Sequence, residues 1–219
     1  MIKTKNLDKE KQKLSFVTDM STSLANAIRR SVLEIPVMAI DEVEIVKNDS
    51  ALYDEIIAHR IGLIPIKTEK TSKEQKFKLV AKGPKTVYSS DIKPSVETGF
   101  KLPIVILDNE QEVEIICHAN LGKGIEHIKY SPGLIYFRHD LDEDILDFVY
   151  VNEEGKILCN EDECKDLKDE LQNKIKKAKE SNELIFEIES WGQLDVKDIF
   201  PKAIETLEDN LKELNKAVK

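Results

Sequence analysis

Apolar residues recur at helical spacing in a few stretches of the chain and at strand spacing in most others. Leu24, Ile28 and Val32 lie four residues apart, which puts them on one stripe of a helix. Ser21 is positioned to cap its first turn, and Ile35, standing before Pro36, is pushed out of helical geometry. Val43 and Ile45 then alternate with Glu42 and Glu44, as in a half-buried strand. A second short helix is expected from a cap at Asp49-Ser50 through Tyr53, Ile56 and Ile57, ending at Gly62. The stretch thus reads helix, tight corner, strand, helix.

Strand alternation marks much of the rest. Leu14 and Phe16 with Ser15 and Val17 predict an edge or hairpin strand after a polar turn. Residues 68–76 form a charged loop, after which Phe77, Leu79 and Ala81 alternate with lysines up to the Gly83-Pro84 turn. The apolar run 102–107 predicts a buried strand. Val113, Ile115 and Cys117 alternate against Glu114, Ile116 and His118, with Ile116 blurring the pattern. Tyr136 and Phe137 open a further strand. Leu184, Phe186 and Ile188 give one fully apolar strand face, which Gly192 ends.

Two more helices follow from spacing. Leu167, Leu171 and Ile175 form a stripe, with Glu170 set to pair with Lys174 four residues on. Near the C-terminus Phe200, Ile204, Leu207, Leu211, Leu214 and Val218 recur at intervals of four and three, a strict two-position heptad seam. Pro201 belongs in a first turn, so the helix is expected to start near Asp198. An isolated helix of this length is marginal in water, so its stripe needs cover. Ile199 and Ala203 widen the stripe, which leaves room for both a core side and a partner side.

Several segments in order resemble one family. Asn26-Ala27-Ile28-Arg29-Arg30 with Pro36 and Ala39-Ile40, then Asp54-Glu55 and His59-Arg60-Ile61-Gly62-Leu63-Ile64-Pro65, resemble the signature of alpha-type subunits of multisubunit RNA polymerases. Within it the chain is most similar to the archaeal D-type subunits, counterparts of the bacterial alpha N-terminal domain and the eukaryotic third-largest subunit. Val87–Ile92, Leu102–Val105, the loop 122–132 and Glu187–Gly192 continue the likeness. The resemblance implies an α+β fold with a discontinuous dimerisation domain, residues 1–46 and 184–219, and an inserted β-rich subdomain at 47–142. In relatives the 122–132 loop faces other subunits.

It also implies a non-catalytic assembly role. The chain would heterodimerise with a small alpha-like subunit, archaeal subunit L, through Leu24, Ile28, Arg29, Arg30 and Val32 and through Phe200, Ile204, Leu207, Leu211, Leu214 and Val218. That heterodimer would gather the large catalytic subunits and small subunits such as N and P. Nucleotidyl transfer then belongs to the complex, whose active-site magnesium sits in the largest subunit. Residues 143–183 depart from the pattern. Many relatives carry cysteine clusters for iron–sulfur centres there, whereas this chain has only Cys159 and Cys164. Residues 143–183 thus read as a shrunken ferredoxin-like insertion.

Composition narrows the function. The net charge of −9 repels phosphate, so extensive contact with DNA or RNA is not expected. No apolar run approaches the ~20 residues of a membrane helix. The first residues lack an apolar signal core and the three cysteines give no disulfide framework, so a reducing cytoplasm is expected. Arginine is confined to Arg29, Arg30, Arg60 and Arg138 in a lysine-rich chain. Its planar fork makes two-point contacts lysine cannot, which marks the first three as candidates for fixed polar contacts, Arg138 being open either way.

No catalytic constellation emerges. The run Asp140, Asp142, Glu143 and Asp144 reads as a solvated loop, since a metal pair needs converging carboxylates. His59 beside Arg60 has no accompanying nucleophile motif. Cys117 and His118 point to opposite faces of a strand. The Gly122-Lys123-Gly124 loop lacks the remaining elements of a phosphate cradle. Cys159 and Cys164, even with oxygen from Glu161, Asp162 or Glu163, fall short of the about four soft donors of a zinc or iron–sulfur site, so no cofactor is expected. The rival reading is a free-standing redox or metal-sensing adaptor built on that cysteine pair.

Overall fold

The computed structural model describes residues 3–68, 74–96, 100–153, 155–159, 164, 167–181 and 183–218. The charged loop expected at 68–76 and the oxygen donors Glu161, Asp162 and Glu163 lie mostly or wholly outside them. The fold is α+β. Internal contacts divide it into two compact units, Met1–Arg30 with Ile135–Glu189 and Ser31–Leu134 with Ser190–Lys219.

The first unit is built on an antiparallel hairpin, β1 (Lys3–Asp8) and β2 (Lys13–Asp19). The C-terminal strand β11 (Glu183–Ser190) pairs with β2 in a register that sets Phe16 opposite Phe186. Their rings stack at 5.5 Å, and Phe137 of β8 (Gly133–His139) tilts against Phe186 at 5.4 Å. The sheet order is β1-β2-β11-β8, so the strand the sequence places last lies in its interior. Such a buried aromatic pair contributes about 0.5–1.5 kcal/mol beyond the area it removes from water.

Residues 143–181 fold as a small module in this unit. A 3₁₀ segment at Glu143–Phe148 leads into the hairpin β9 (Val149–Val151) and β10 (Ile157–Cys159), then α3 (Asp169–Glu180). Ile145, Ile157, Ile175 and Ala178 form its core, with Leu167, Leu171, Cys159 and Cys164 packed around them. The expected helix is present. Its Lys174, however, bonds Asp142 at 2.9 Å and Asp144 at 2.5 Å, where the spacing had pointed to Glu170. Asp142 also accepts from the Asp144 backbone and so caps the 3₁₀ turn. The acidic run is therefore a clamp on Lys174 as much as a solvated loop.

The hairpin tip of this module meets the first residue of α1 (Thr22–Ser31). Gly155 sits at φ +77°, and a Cβ there would lie 2.1 Å from Thr22 Oγ1. Only glycine fits both the backbone angle and the space.

The second unit centres on the antiparallel sheet β3-β7-β4. β3 (Val37–Asn48) runs beside β7 (Glu112–Gly122), and β4 (Gln75–Lys82) pairs on its other side. The alternation read from sequence is the burial pattern: Phe77, Leu79, Val113, Ile115, Cys117 and Ala119 enter the core, and lysines and glutamates face out. α2 (Asp54–Gly62) covers the inner face with Ile57 and Ile61. The hairpin β5 (Lys85–Tyr88) and β6 (Pro103–Leu107) adds Val87, Ile104, Val105 and Leu107. Residue 46, an expected domain border, lies inside the continuous β3.

α2 starts later than its apparent cap. Asn48 Oδ1 accepts from the backbone and hydroxyl of Ser50, while its amide donates to Leu52 O at 2.8 Å and Asp54 at 2.7 Å. That closes residues 48–52 into a turn, and the helix begins only after Tyr53.

Candidate partner-binding helices

α1 is capped as expected, Ser21 Oγ accepting from the Leu24 backbone at 3.3 Å. Its α-helical part ends at Ser31, a 3₁₀ turn covers Val32–Glu34, and Ile35 is extended with ψ 122°. The buried stripe is Ala25, Ile28 and Val32, each 3% exposed or less. Leu24 is 47% exposed and lies beside that stripe, a correction to the even four-residue spacing. A step of three then four follows the 3.6-residue turn more closely than two steps of four.

Arg29 makes the two-point contact that arginine geometry allows. Its Nε and Nη2 both donate to Asn26 Oδ1, at 3.1 and 2.9 Å, one turn back on the same helix. The side chains of Arg30 and Arg60 are exposed and bond no described residue. Arg138 donates to Glu187 at 3.3 Å across neighbouring strands.

The C-terminal helix α4 (Val196–Ala217) is 22 residues long. Asp195 caps it, accepting from the Lys197 backbone at 3.0 Å. It therefore starts two residues before the expected Asp198, and Pro201 falls in the second turn. The proline cannot donate to the Lys197 carbonyl, so one helical bond is missing there.

Exposure divides the heptad seam. Val196, Ile199, Phe200 and Ala203 are buried, and Ile204 and Leu207 are half-buried. Leu211, Leu214 and Val218 are 56%, 60% and 78% exposed. The first half of the helix belongs to the core, and the second half carries an apolar stripe that no described residue covers. At the changeover Asn210 donates to the Glu34 carboxylate at 2.7 Å. Nothing in the sequence signalled that contact, because the partners are 176 positions apart and Asn210 reads as one more outward polar residue.

The remaining candidates do not gather. Cys117 is buried, which pushes its thiol up to about 11, while His118 on the other face meets Glu44 at 2.9 Å. Near the Gly122 loop the Lys129 ammonium bonds Asp41 at 2.6 Å and holds that carboxyl below its usual range. Burial first, then the Asp41 charge, raise the Tyr130 hydroxyl to about 12. Tyr130 lies so close over Gly122 that a Cβ would stand 2.6 Å from its ring, and this fixes the loop. Cys159 Sγ lies 2.8 Å from Lys179 Nζ. Among the described residues no three His, Cys, Asp or Glu side chains converge as metal ligands. Nor is any described helix long and apolar enough to cross a membrane.

The family described as RNA polymerase Rpb3/Rpb11 dimerisation domain matches residues 16–211, from β2 to the exposed half of α4. The chain belongs to that family. Its relatives include the protein named DNA-directed RNA polymerase subunit Rpo3 of Pyrococcus horikoshii, 40% identical over 64% of this chain and 60% of that protein. The subunit of the same name from Methanocaldococcus jannaschii is 39% identical over 68% of this chain and 80% of its own length. That of Halobacterium salinarum is 29% identical, with 97% and 95% covered. The match to the Pyrococcus protein thus spans about three fifths of its length, while the family match runs through the buried half of the α4 seam and ends at Leu211, the first of its exposed positions.

Proposed function

We propose that the chain is a non-catalytic assembly subunit of DNA-dependent RNA polymerase, of the archaeal D type. Its partner would be a small alpha-like subunit, archaeal subunit L by likeness. The observation that carries this reading is the exposed Leu211, Leu214 and Val218 stripe on α4, in a chain of a dimerisation-domain family. A contiguous apolar stripe of that kind marks a protein interface. Leu24, Arg29 and Arg30 on α1 are proposed as further partner-binding residues, with Ile28 and Val32 supporting that helix from its buried side.

The dimerisation domain, in this reading, comprises residues 1–46 and 184–219, with 47–142 inserted and 143–183 a reduced insertion. The heterodimer then collects the large catalytic subunits and small subunits such as N and P. Nucleotidyl transfer is work of that complex, in the cytoplasm, and the chain places other subunits without touching the reacting phosphates. The net charge of −9 supports a role with little direct nucleic-acid contact. Co-expression with the small alpha-like subunit tests the proposal. A soluble one-to-one heterodimer by size-exclusion chromatography is expected, and a monomer that ignores that subunit would overturn it.

A further inference from the structure

α2 carries a second apolar stripe outside the core. Tyr53, Ile56, Arg60 and Leu63 follow at steps of three, four and three residues, so they line one flank of the helix and its two caps. Tyr53 is 77% exposed, Ile56 45% and Leu63 47%, and Arg60 is exposed between them. The adjoining flank, Ile57, Ile61 and Ile64, is the buried one. One helix thus packs the sheet with one stripe and presents the next to its surroundings.

The Arg60 side chain has no ion pair or hydrogen bond to any described residue. The two carboxylates of its own helix do not serve it. Asp54 is taken by the Asn48 amide at 2.7 Å, and Glu55, five positions before Arg60, lies round the helix. A guanidinium set among apolar side chains is matched by a carboxylate carried among apolar side chains, since its fork accepts two oxygens at once. A second copy of this chain fits poorly, because a two-fold antiparallel pairing through this stripe would set Arg60 against Ile56 and the stripe itself would bring it no carboxylate. Nucleic acid would satisfy Arg60 but leave Tyr53, Ile56 and Leu63 uncovered, on a chain whose charge of −9 repels phosphate.

We propose that the Tyr53, Ile56, Arg60 and Leu63 stripe docks an amphipathic segment of another polypeptide, one that places an Asp or Glu among apolar residues. This surface is a different element from the α4 seam and does not need the heterodimer to form. The carboxylate engages Arg60 through two hydrogen bonds, and the flanking apolar side chains cover Tyr53, Ile56 and Leu63.

The test uses the assembled complex, so it rests on the assembly reading, and heterodimer formation is scored separately to tell the two failures apart. A photoreactive benzoylphenylalanine replaces Tyr53, and the cross-linked peptide is sequenced. The cross-link should fall in a segment of another polypeptide that mixes apolar residues with Asp or Glu. Arg60→Glu should weaken retention of that polypeptide roughly a hundredfold, and changing its carboxylate to Arg should restore it. Leu63→Ser, with circular dichroism unchanged, should weaken it as well. The proposal is overturned by cross-links only to nucleic acid, to a second copy or to this chain itself. Unaltered retention in Arg60→Glu, no rescue by the reversed charge, or loss of the heterodimer in the same variant would also overturn it.

Discussion

Asn210 donates a 2.7 Å hydrogen bond to Glu34, joining α4 to the 3₁₀ turn at Val32–Glu34 where the helix stops burying its side chains. The bond holds the emerging half of the helix at a fixed bearing to that turn. Asn210→Ala should therefore lower the thermal midpoint by a few degrees, on the order of 1 kcal/mol, as for one half-buried bond to a charged acceptor. Differential scanning calorimetry of the isolated chain checks it, and an unchanged midpoint would deny the bond any role.

Leu211 and Leu214 are exposed in the chain alone, so changing both to Asp should leave its fold and midpoint nearly intact. The same pair would put two unpaired charges into a covered seam, at several kcal/mol each. Heterodimer formation should vanish while circular dichroism stays that of the parent chain. Survival of the heterodimer would show that the seam is not its interface. Leu207 is the poorer choice, because it is half-buried and its loss would disturb folding too.

Gly155→Ala should destabilise the first unit by about 1–3 kcal/mol, from the positive φ and the Thr22 contact together. Adding Thr22→Gly removes the contact but leaves the backbone strain, so it should recover only part of the loss. Chemical denaturation of both variants separates the two causes. Full recovery would mean that φ +77° costs nothing there.

The Lys174 clamp gives a pH dependence. Hydrogen bonding to Lys174 lowers the Asp142 carboxyl, and bonding to Asp144 and Asp142 raises the Lys174 ammonium. The depressed carboxyl contributes stability above its unfolded value near 3.8, and this is lost as pH falls through the lower folded value. The raised ammonium contributes below 10.5, and this is lost as pH rises through its higher folded value. Lys174→Met should thus lower the midpoint at about pH 7, and the gap to the parent should narrow as pH falls below 3.8 and through the lower folded value of Asp142. Asp142 is exposed and Lys174 only half-buried, so added salt should shrink the gap. A gap that persists in acid would assign the effect to packing.

Strands were legible in the sequence because each residue's face depends only on its parity, as in Phe77, Leu79 and Ala81. Helix starts were less so. Asp195 and Asp198 are both good caps, and Asp195 prevails by reaching the Lys197 backbone, which carries Pro201 into the second turn. At α2 the side chain of Asn48 spends residues 48–52 on a turn, an outcome composition does not foretell. The candidate interface was readable as a heptad seam, but where it leaves the core was not, since spacing carries no record of where the neighbouring elements end. The Leu24 position failed for a related reason: leucine and alanine are both apolar, and the smaller Ala25 occupies the tight place.

The exposed half of α4 bears on how binding is measured. Beyond Asn210 the helix has about two turns of exposed residues with no tertiary hydrogen bond among the described residues, a length that is marginal in water. Those turns are helical here to Ala217, and the expectation is that they fray in the lone chain in solution and become ordered if a partner covers them. Association and local folding are then one thermodynamic event. Calorimetric titration should show a heat-capacity decrease larger than the contact area alone supplies, and helix content rising as the partner is added.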